Sequence, residues 1–78
     1  MSVYWPTPVE VETNGDGTPR EVAGVAVEGL REEWLVEDGW WTPKPLRRHY
    51  FELVLADGRC IVVFREPAGD GSWFEQRD

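Results

Sequence analysis

The feature that most constrains the fold is the pair Asp57-Gly58, which stands between two runs of apolar residues within residues 46–66. Both residue types tolerate the positive φ angles of a type I′ turn, so the pair predicts a long β-hairpin with a two-residue loop. Such a loop also fixes the register of the two strands. The predicted cross-strand pairs are Leu55 with Cys60, Leu53 with Val62 and Phe51 with Phe64 on the core side, and Tyr50 with Arg65 on the other.

The rest of the chain predicts further short strands. Residues 8–13 alternate apolar and polar, and the Gly-rich turn 14–17 ends that strand. A partner strand begins near Arg20 and continues in an alternating pattern past Gly24 and Gly29 toward Val36. A connection stiffened by prolines, residues 42–45, leads into the central hairpin. A second Gly-rich turn, residues 67–71, follows the hairpin and precedes a last strand at 72–76.

Residues 26–37 also permit a short helix. Val27, Leu30, Trp34 and Leu35 fall near positions i, i+3, i+7 and i+8, which is a helical spacing. Gly29 inside the segment, and the lack of an N-capping residue before it, favour a strand with a bend or bulge.

Five to six short strands joined by Gly, Asp and Pro turns predict an all-β protein, namely a small antiparallel roll or SH3-like barrel around the central hairpin at 46–66. At 78 residues the chain is expected to form one domain at most, over residues 1–78. Within it, residues 1–7 are either disordered or an edge strand.

Composition narrows the classes of function. The net charge of −7 comes from the first half, where residues 1–43 hold nine acids against Arg20 and Arg31. This charge disfavours broad binding to a phosphate backbone. The single cysteine allows no intramolecular disulfide, and no Cys/His set predicts a zinc site. Without an apolar leader or a run near 20 apolar residues, we expect a cytoplasmic protein that neither enters a membrane nor is secreted.

One cluster combines aromatic and basic side chains and is the candidate contact surface: Trp40, Trp41, Arg47, Arg48 and Tyr50. Three interpretations remain open. The rings can belong to the core with a solvated basic rim, the cluster can bind a protein, or it can stack on the bases of a single-stranded nucleic acid.

No residues in the sequence predict catalysis, a metal site or a cofactor. His49 has no second histidine and no nucleophile at a recognisable spacing, so it is expected to be a partly exposed strand residue. Cys60, opposite Leu55 in the predicted register, is expected to be buried and inert.

Several short motifs resemble a small bacterial domain of unknown function. They cover residues 33–77 and comprise Glu33-Trp34, Asp38-Gly39-Trp40-Trp41, Pro45-Leu46-Arg47-Arg48, Tyr50-Phe51, Asp57-Gly58-Arg59, Val63-Phe64-Arg65-Glu66 and Gly71-Ser72-Trp73-Phe74-Glu75-Gln76-Arg77. That domain is encoded beside, or resembles the C-terminal tail of, the ImuB-type Y-family polymerase-like subunit of the SOS mutasome.

The resemblance implies a non-enzymatic accessory role in damage-induced mutagenesis, exercised through protein contacts with polymerase or clamp-associated subunits. It brings no catalytic residues with it. Combined with the aromatic and basic cluster, it predicts an interaction domain; the alternative is a single-stranded nucleic-acid-binding module. The oligomeric state is left open.

Overall fold

The computed structural model describes residues 6–39, 41, 43, 46–67, 69 and 71–76. These residues form seven antiparallel β-strands and no helix, which confirms the predicted all-β class. In chain order the strands are β1 (Thr7–Val9), β2 (Val11–Thr13), β3 (Pro19–Val22), β4 (Val25–Asp38), β5 (Leu46–Leu55), β6 (Cys60–Arg65) and β7 (Trp73–Gln76). Of the N-terminal segment, residues 1–5 lie outside the described part, and Thr7 begins β1.

Residues 7–13 form two short strands, β1 and β2, which lie at the two opposite edges of the sheet and so nearly close it. The strands lie in the order β1-β7-β6-β5-β4-β3-β2. β1 pairs with β7 and β2 pairs with β3, and only Glu10 separates β1 from β2 in the chain. One short stretch of chain therefore joins the first and last strands of the sheet into a barrel. This confirms the predicted barrel, with seven strands because the strand expected over 8–13 is split at Glu10.

The central hairpin is present, but its loop has three residues instead of two. The amide of Gly58 donates to the carbonyl of Leu55 at 2.9 Å, and the amide of Leu55 donates to the carbonyl of Arg59 at 2.8 Å. Gly58 has a φ of 91°, whereas Asp57 has no positive φ. The loop is thus of the kind in which a type I turn is followed by a left-handed glycine that forms a bulge.

The longer loop shifts the predicted register by one residue. Phe51 lies opposite Val63, and Tyr50 lies opposite Phe64 rather than Arg65. Because side chains alternate between the faces of a strand, the shift exchanges the two faces of β6. The predicted pairs of Leu55, Leu53 and Phe51 with Cys60, Val62 and Phe64 are therefore wrong.

The core lies on one side of the sheet, here called the inner face. Its buried side chains come from strands β3, β5, β6 and β7, and they are Val22, Phe51, Leu53, Leu55, Val63 and Trp73. Cys60 lies on the opposite, outer face and is exposed, so its predicted burial is also wrong. The outer face also carries a buried side chain, since Phe64 is only 2% exposed although it lies outside this cluster.

Strand β4 is extended over its whole length, so the helical alternative for residues 26–37 is wrong. Its pairing with β5 shifts twice, once between Val27 and Gly29 and once between Leu30 and Glu32. The first irregularity lies at Gly29, where the sequence predicts a bend or bulge. The two extra residues on β4 increase the local twist and let a long strand follow the curve of the barrel.

Candidate partner-binding surface

The five residues of the predicted contact surface are distributed over different environments. Trp40 lies outside the described residues, and Trp41 is 68% exposed. The other three lie on β5, where Arg47 is on the inner face and Arg48 and Tyr50 are on the outer face. Tyr50 is only 9% exposed, so its ring offers little free surface. The structure therefore brings Arg48 and Tyr50 together and separates them from Arg47.

Both arginines have partners within the chain. Nη2 of Arg47 lies 3.2 Å from a carboxylate oxygen of Glu37 on the neighbouring strand. The Arg48 guanidinium carbon lies 4.7 Å from the centroid of the Phe64 ring, and its Nη1 lies 3.5 Å from the Tyr50 hydroxyl. A cation above an aromatic ring is attracted by the negative face of the ring. Arg48 thus covers the buried Phe64 on the outer face.

Four aromatic rings form a continuous row across the outer face. Trp34, Tyr50, Phe64 and Phe74 lie opposite one another on β4, β5, β6 and β7. The successive ring centroids are 5.3, 5.0 and 5.5 Å apart, and the Trp34 and Tyr50 planes differ by 3°. These spacings are those of favourable aromatic pairs. Trp34 is the last ring of the row on the β4 side and remains 37% exposed.

The inner face of the same strands is polar beyond the core. A carboxylate oxygen of Glu33 lies 2.6 Å from Nε2 of His49 on β5. The His49 ring in turn stacks on Phe51, with centroids 4.3 Å apart. Between Glu33 and Glu37 the side chain of Leu35 is 48% exposed, although it lies on the face that forms the core elsewhere. An apolar side chain between two carboxylates is therefore open to solvent here.

The side of β4 that faces away from β5, here called the outer edge, has no partner strand among the described residues over most of its length. β3 pairs with β4 only through Val25 and Ala26. Past Ala26, no strand among the described residues pairs with this edge. Leu30 on the same strand is 41% exposed. An edge that presents unpaired amide and carbonyl groups beside exposed apolar side chains is a template for another strand.

Arg31 and Cys60 form a contact that the sequence does not predict. Nη1 of Arg31 lies 3.8 Å from Sγ of Cys60. This contact is the larger cause of a raised Arg31 pKa, and the negative charge of Glu52 is the second cause. Cys60 lies opposite Val54, whereas His49 lies five residues further along the ladder and on the inner face. At about 3.3 Å per residue the thiol and the imidazole are roughly 16 Å apart. They cannot form a nucleophile and base pair.

Other kinds of site find little support in the described part of the chain. No group of three or more His, Cys, Asp or Glu side chains there is placed to hold a metal ion. An open cleft of about 630 Å³ lies where the barrel closes, between Glu10 and Trp73, and carboxylates line one side of it. None of the described segments forms a helix with the length and apolar character needed to cross a membrane.

Comparison with known proteins does not assign the chain to a family. No known protein family, no characterised protein and no solved structure matches it.

The cluster proposed from sequence does not include the exposed apolar side chains of β4, which are more accessible than Tyr50. Leu30, Trp34 and Leu35 are all exposed and belong to one strand. Residues 30–36 do not alternate between apolar and polar side chains, so the sequence carries no local signal for this exposed group. The sequence also does not show that none of the described strands pairs with the other side of β4 past Ala26.

Proposed function

We propose that this chain is a non-enzymatic interaction domain that binds a protein partner through the outer edge of β4 and the side chains beside it. One observation carries the proposal: Leu30, Trp34 and Leu35 are exposed on a single strand whose outer edge has no partner among the described strands. Large apolar side chains grouped at one place on a small protein mark interaction sites more often than isolated ones do.

The partner we propose follows from the resemblance to the ImuB-associated domain. It is a polymerase-like or clamp-associated subunit of the bacterial mutasome, and the role is an accessory one in damage-induced mutagenesis. A cytoplasmic location is part of the same proposal, because those subunits act on the chromosome. The lone, exposed Cys60 is compatible with a reducing compartment.

The alternative is a single-stranded nucleic-acid-binding module. Trp41 is strongly exposed and Arg47 is half-exposed, so stacking and phosphate contacts have candidate groups. Against it, Arg47 already pairs with Glu37, and Arg48 lies over Phe64. The acidic residues of β4 would also repel phosphate. These contacts support the protein-binding proposal over the nucleic-acid one.

The test is a titration of the purified chain against each mutasome subunit. Wild type is compared with Leu35→Ser and Arg47→Ala, which change the proposed surface, and with Arg20→Ala, which breaks an exposed ion pair with Glu12 on other strands. We expect Leu35→Ser to weaken binding at least tenfold and Arg20→Ala to leave it unchanged.

Two results would oppose the proposal. Equal binding by wild type and Leu35→Ser would remove β4 from the contact surface. Quenching of tryptophan fluorescence by single-stranded oligonucleotides, with a steep loss at higher salt and no binding to any subunit, would favour the nucleic-acid alternative.

A further inference from the structure

We propose that the outer edge of β4 at residues 32–37, here called the edge segment, binds an extended basic peptide that adds to the sheet as an antiparallel strand. This inference rests on the proposed function and specifies the chemistry of the partner. The peptide has basic residues opposite the three glutamates of the segment and apolar residues opposite the side chains between them. Its backbone supplies the ladder of hydrogen bonds, and its side chains supply the selectivity.

The edge segment is the regular part of β4. The two register shifts lie before it, and from Glu32 to Asp38 each residue pairs with β5 without interruption. Bulges protect an edge because they twist its hydrogen-bonding groups out of line. Only the segment after the second shift therefore presents an even row of alternate N–H and C=O groups to an incoming strand.

The apolar part of the recognition comes from both faces of the segment. On the outer face Trp34 ends the aromatic row, and the face of its ring is fixed by Tyr50. An added strand would lie about 4.8 Å from β4, so a side chain opposite Trp34 would extend the row by one position. On the inner face Leu35 is half-exposed and provides a second apolar contact.

The charged part of the recognition is negative. Glu33 and Glu37 lie on the inner face, where each has a partner on the β5 side, His49 and Arg47. Glu32 lies on the outer face directly opposite Glu52, and these two carboxylates share the single positive charge of Arg31. Like charges across a ladder are unfavourable, and a cation on the open side of Glu32 would relieve the repulsion.

The same charges disfavour a second copy of this chain as the occupant. Paired residues of an antiparallel ladder share a face, so self-pairing at the edge segment has its axis at Leu35, where Glu33 lies opposite Glu37 of the other copy, or at Trp34, where Arg31 lies opposite Glu37. The register at Leu35 brings carboxylates together, and the register at Trp34 depends on Arg31, which lies within the second register shift and contacts Cys60. Charge complementarity therefore commits the edge to a basic strand.

The probe is a capped peptide of sequence TKVVFKKT, in which lysines fall opposite the three glutamates and Val-Val-Phe falls opposite residues 36, 35 and 34 in antiparallel order. The ¹⁵N-labelled wild-type chain is titrated with the peptide, and amide hydrogen exchange is measured residue by residue. We expect alternate amides of the edge segment to exchange at least tenfold more slowly at saturation. Amides of Val11–Thr13, on another strand, should not change.

Two controls separate strand addition from simple charge attraction. The same peptide N-methylated at the residues that face β4 keeps its side chains and charge but loses the donors of the ladder, and we expect at least tenfold weaker binding. Glu32→Lys should weaken binding of the unmodified peptide at least threefold. Glu12→Lys, an equal change of charge at an exposed position on β2, should not.

The outcomes distinguish this inference from the proposed function. Peptide binding without slowed exchange, or equal binding of the N-methylated peptide, overturns strand addition. Strand addition is also overturned if the peptide fails to bind while a mutasome subunit binds and Leu35→Ser weakens that binding. The proposed function is retained in that case. Slowed exchange that appears without peptide as the protein concentration rises assigns the edge to a second copy and also overturns the inference. Failure of both titrations overturns both proposals.

Discussion

Trp34 and Tyr50 stack with nearly parallel rings on neighbouring strands, with ring centroids 5.3 Å apart and an angle of 3° between the ring planes. The stacking fixes the exposed indole at the outer edge of β4 before any partner arrives. A fixed side chain loses less conformational entropy on binding than a mobile one. The aromatic row thus links the stability of the outer face to the surface proposed for binding.

The first prediction concerns this stacked pair. Trp34→Ala should lower the free energy of unfolding by about 1–3 kcal/mol, because it removes an aromatic pair and part of the buried area of the row. Trp34→Phe should lose much less. The measurement is urea unfolding followed by far-UV circular dichroism. Leu35→Ala, next along the same strand and half-exposed, is the control, and an equal loss in Leu35→Ala and Trp34→Ala would contradict the role of stacking.

The second prediction tests the register of the hairpin. Val63 is fully buried in the core, whereas Val62 lies on the outer face and is only partly buried. Val63→Ala should cost about 2 kcal/mol or more, since it deletes two buried methyl groups and leaves a cavity. Val62→Ala should cost clearly less. The free energies of unfolding are measured by chemical denaturation. A larger loss for Val62→Ala than for Val63→Ala would instead support the register of a two-residue loop.

The third prediction concerns the loop glycine. Gly58 has a φ of 91°, which L-residues rarely adopt, and apart from its two chain neighbours no described residue has an atom within 4 Å of the position that a Cβ would take there. Gly58→Ala should therefore cost about 1–2 kcal/mol through backbone strain alone. Gly15→Ala is the matched control, because Gly15 also sits in a turn with open space but without a positive φ. Thermal unfolding of both variants should show a loss for Gly58→Ala only.

The fourth prediction concerns pH. The backbone amide of Arg59 donates to the Asp57 carboxylate at 3.1 Å and its Nε lies 2.7 Å away, which lowers the pKa of Asp57 below its ordinary value of 3.8. A carboxyl whose pKa is lower in the folded state stabilises that state above its unfolded pKa. The contribution is therefore complete above about pH 5 and is lost as the pH falls through 3.8 toward the folded pKa.

The measurement for Asp57 is an NMR titration of its side-chain carboxyl. The midpoint should lie below 3.8 in the native protein and return to that value in urea. In Arg59→Ala the midpoint should rise only part of the way, because the backbone donor, which is the larger cause, remains. A native midpoint at or above 3.8 would contradict the assignment.

The fold class could be predicted because its signals are local. Turn residues such as Asn14, Gly17 and Gly58 mark the turns between strands, and alternation marks several of the strands that they separate. The turn at residues 14–17 is observed with a hydrogen bond from the Gly17 amide to the Asn14 carbonyl, as the sequence predicts. Gly29 likewise indicates an irregularity in a strand.

The faces of the strands could not be predicted with the same success. Asp57-Gly58 fits the two central positions of a type I′ turn, but it equally fits the last two positions of the three-residue loop that the structure contains. The choice between them moves every side chain of β6 to the other face. The second register shift in β4, between Leu30 and Glu32, has no glycine or proline to indicate it, although it places Trp34 beside Tyr50.

The candidate site was predicted only in part for a related reason. Composition identifies aromatic and basic residues, but it does not show which ones already have partners in the chain. Arg48 and Tyr50 are engaged with Phe64, and the free surface lies on β4 instead. An unpaired edge is a property of the whole sheet, so no local pattern reports it.

The division of the N-terminal strand at Glu10 also has a consequence for the order of folding. β1 pairs with β7, its neighbour in space but the farthest strand from it along the chain. Bringing such distant segments together costs loop-closure entropy, which falls once the intervening strands have already paired. We therefore expect β4, β5 and β6 to assemble as an open meander first. Closure by β1 would then be a late event that turns an open sheet into a barrel.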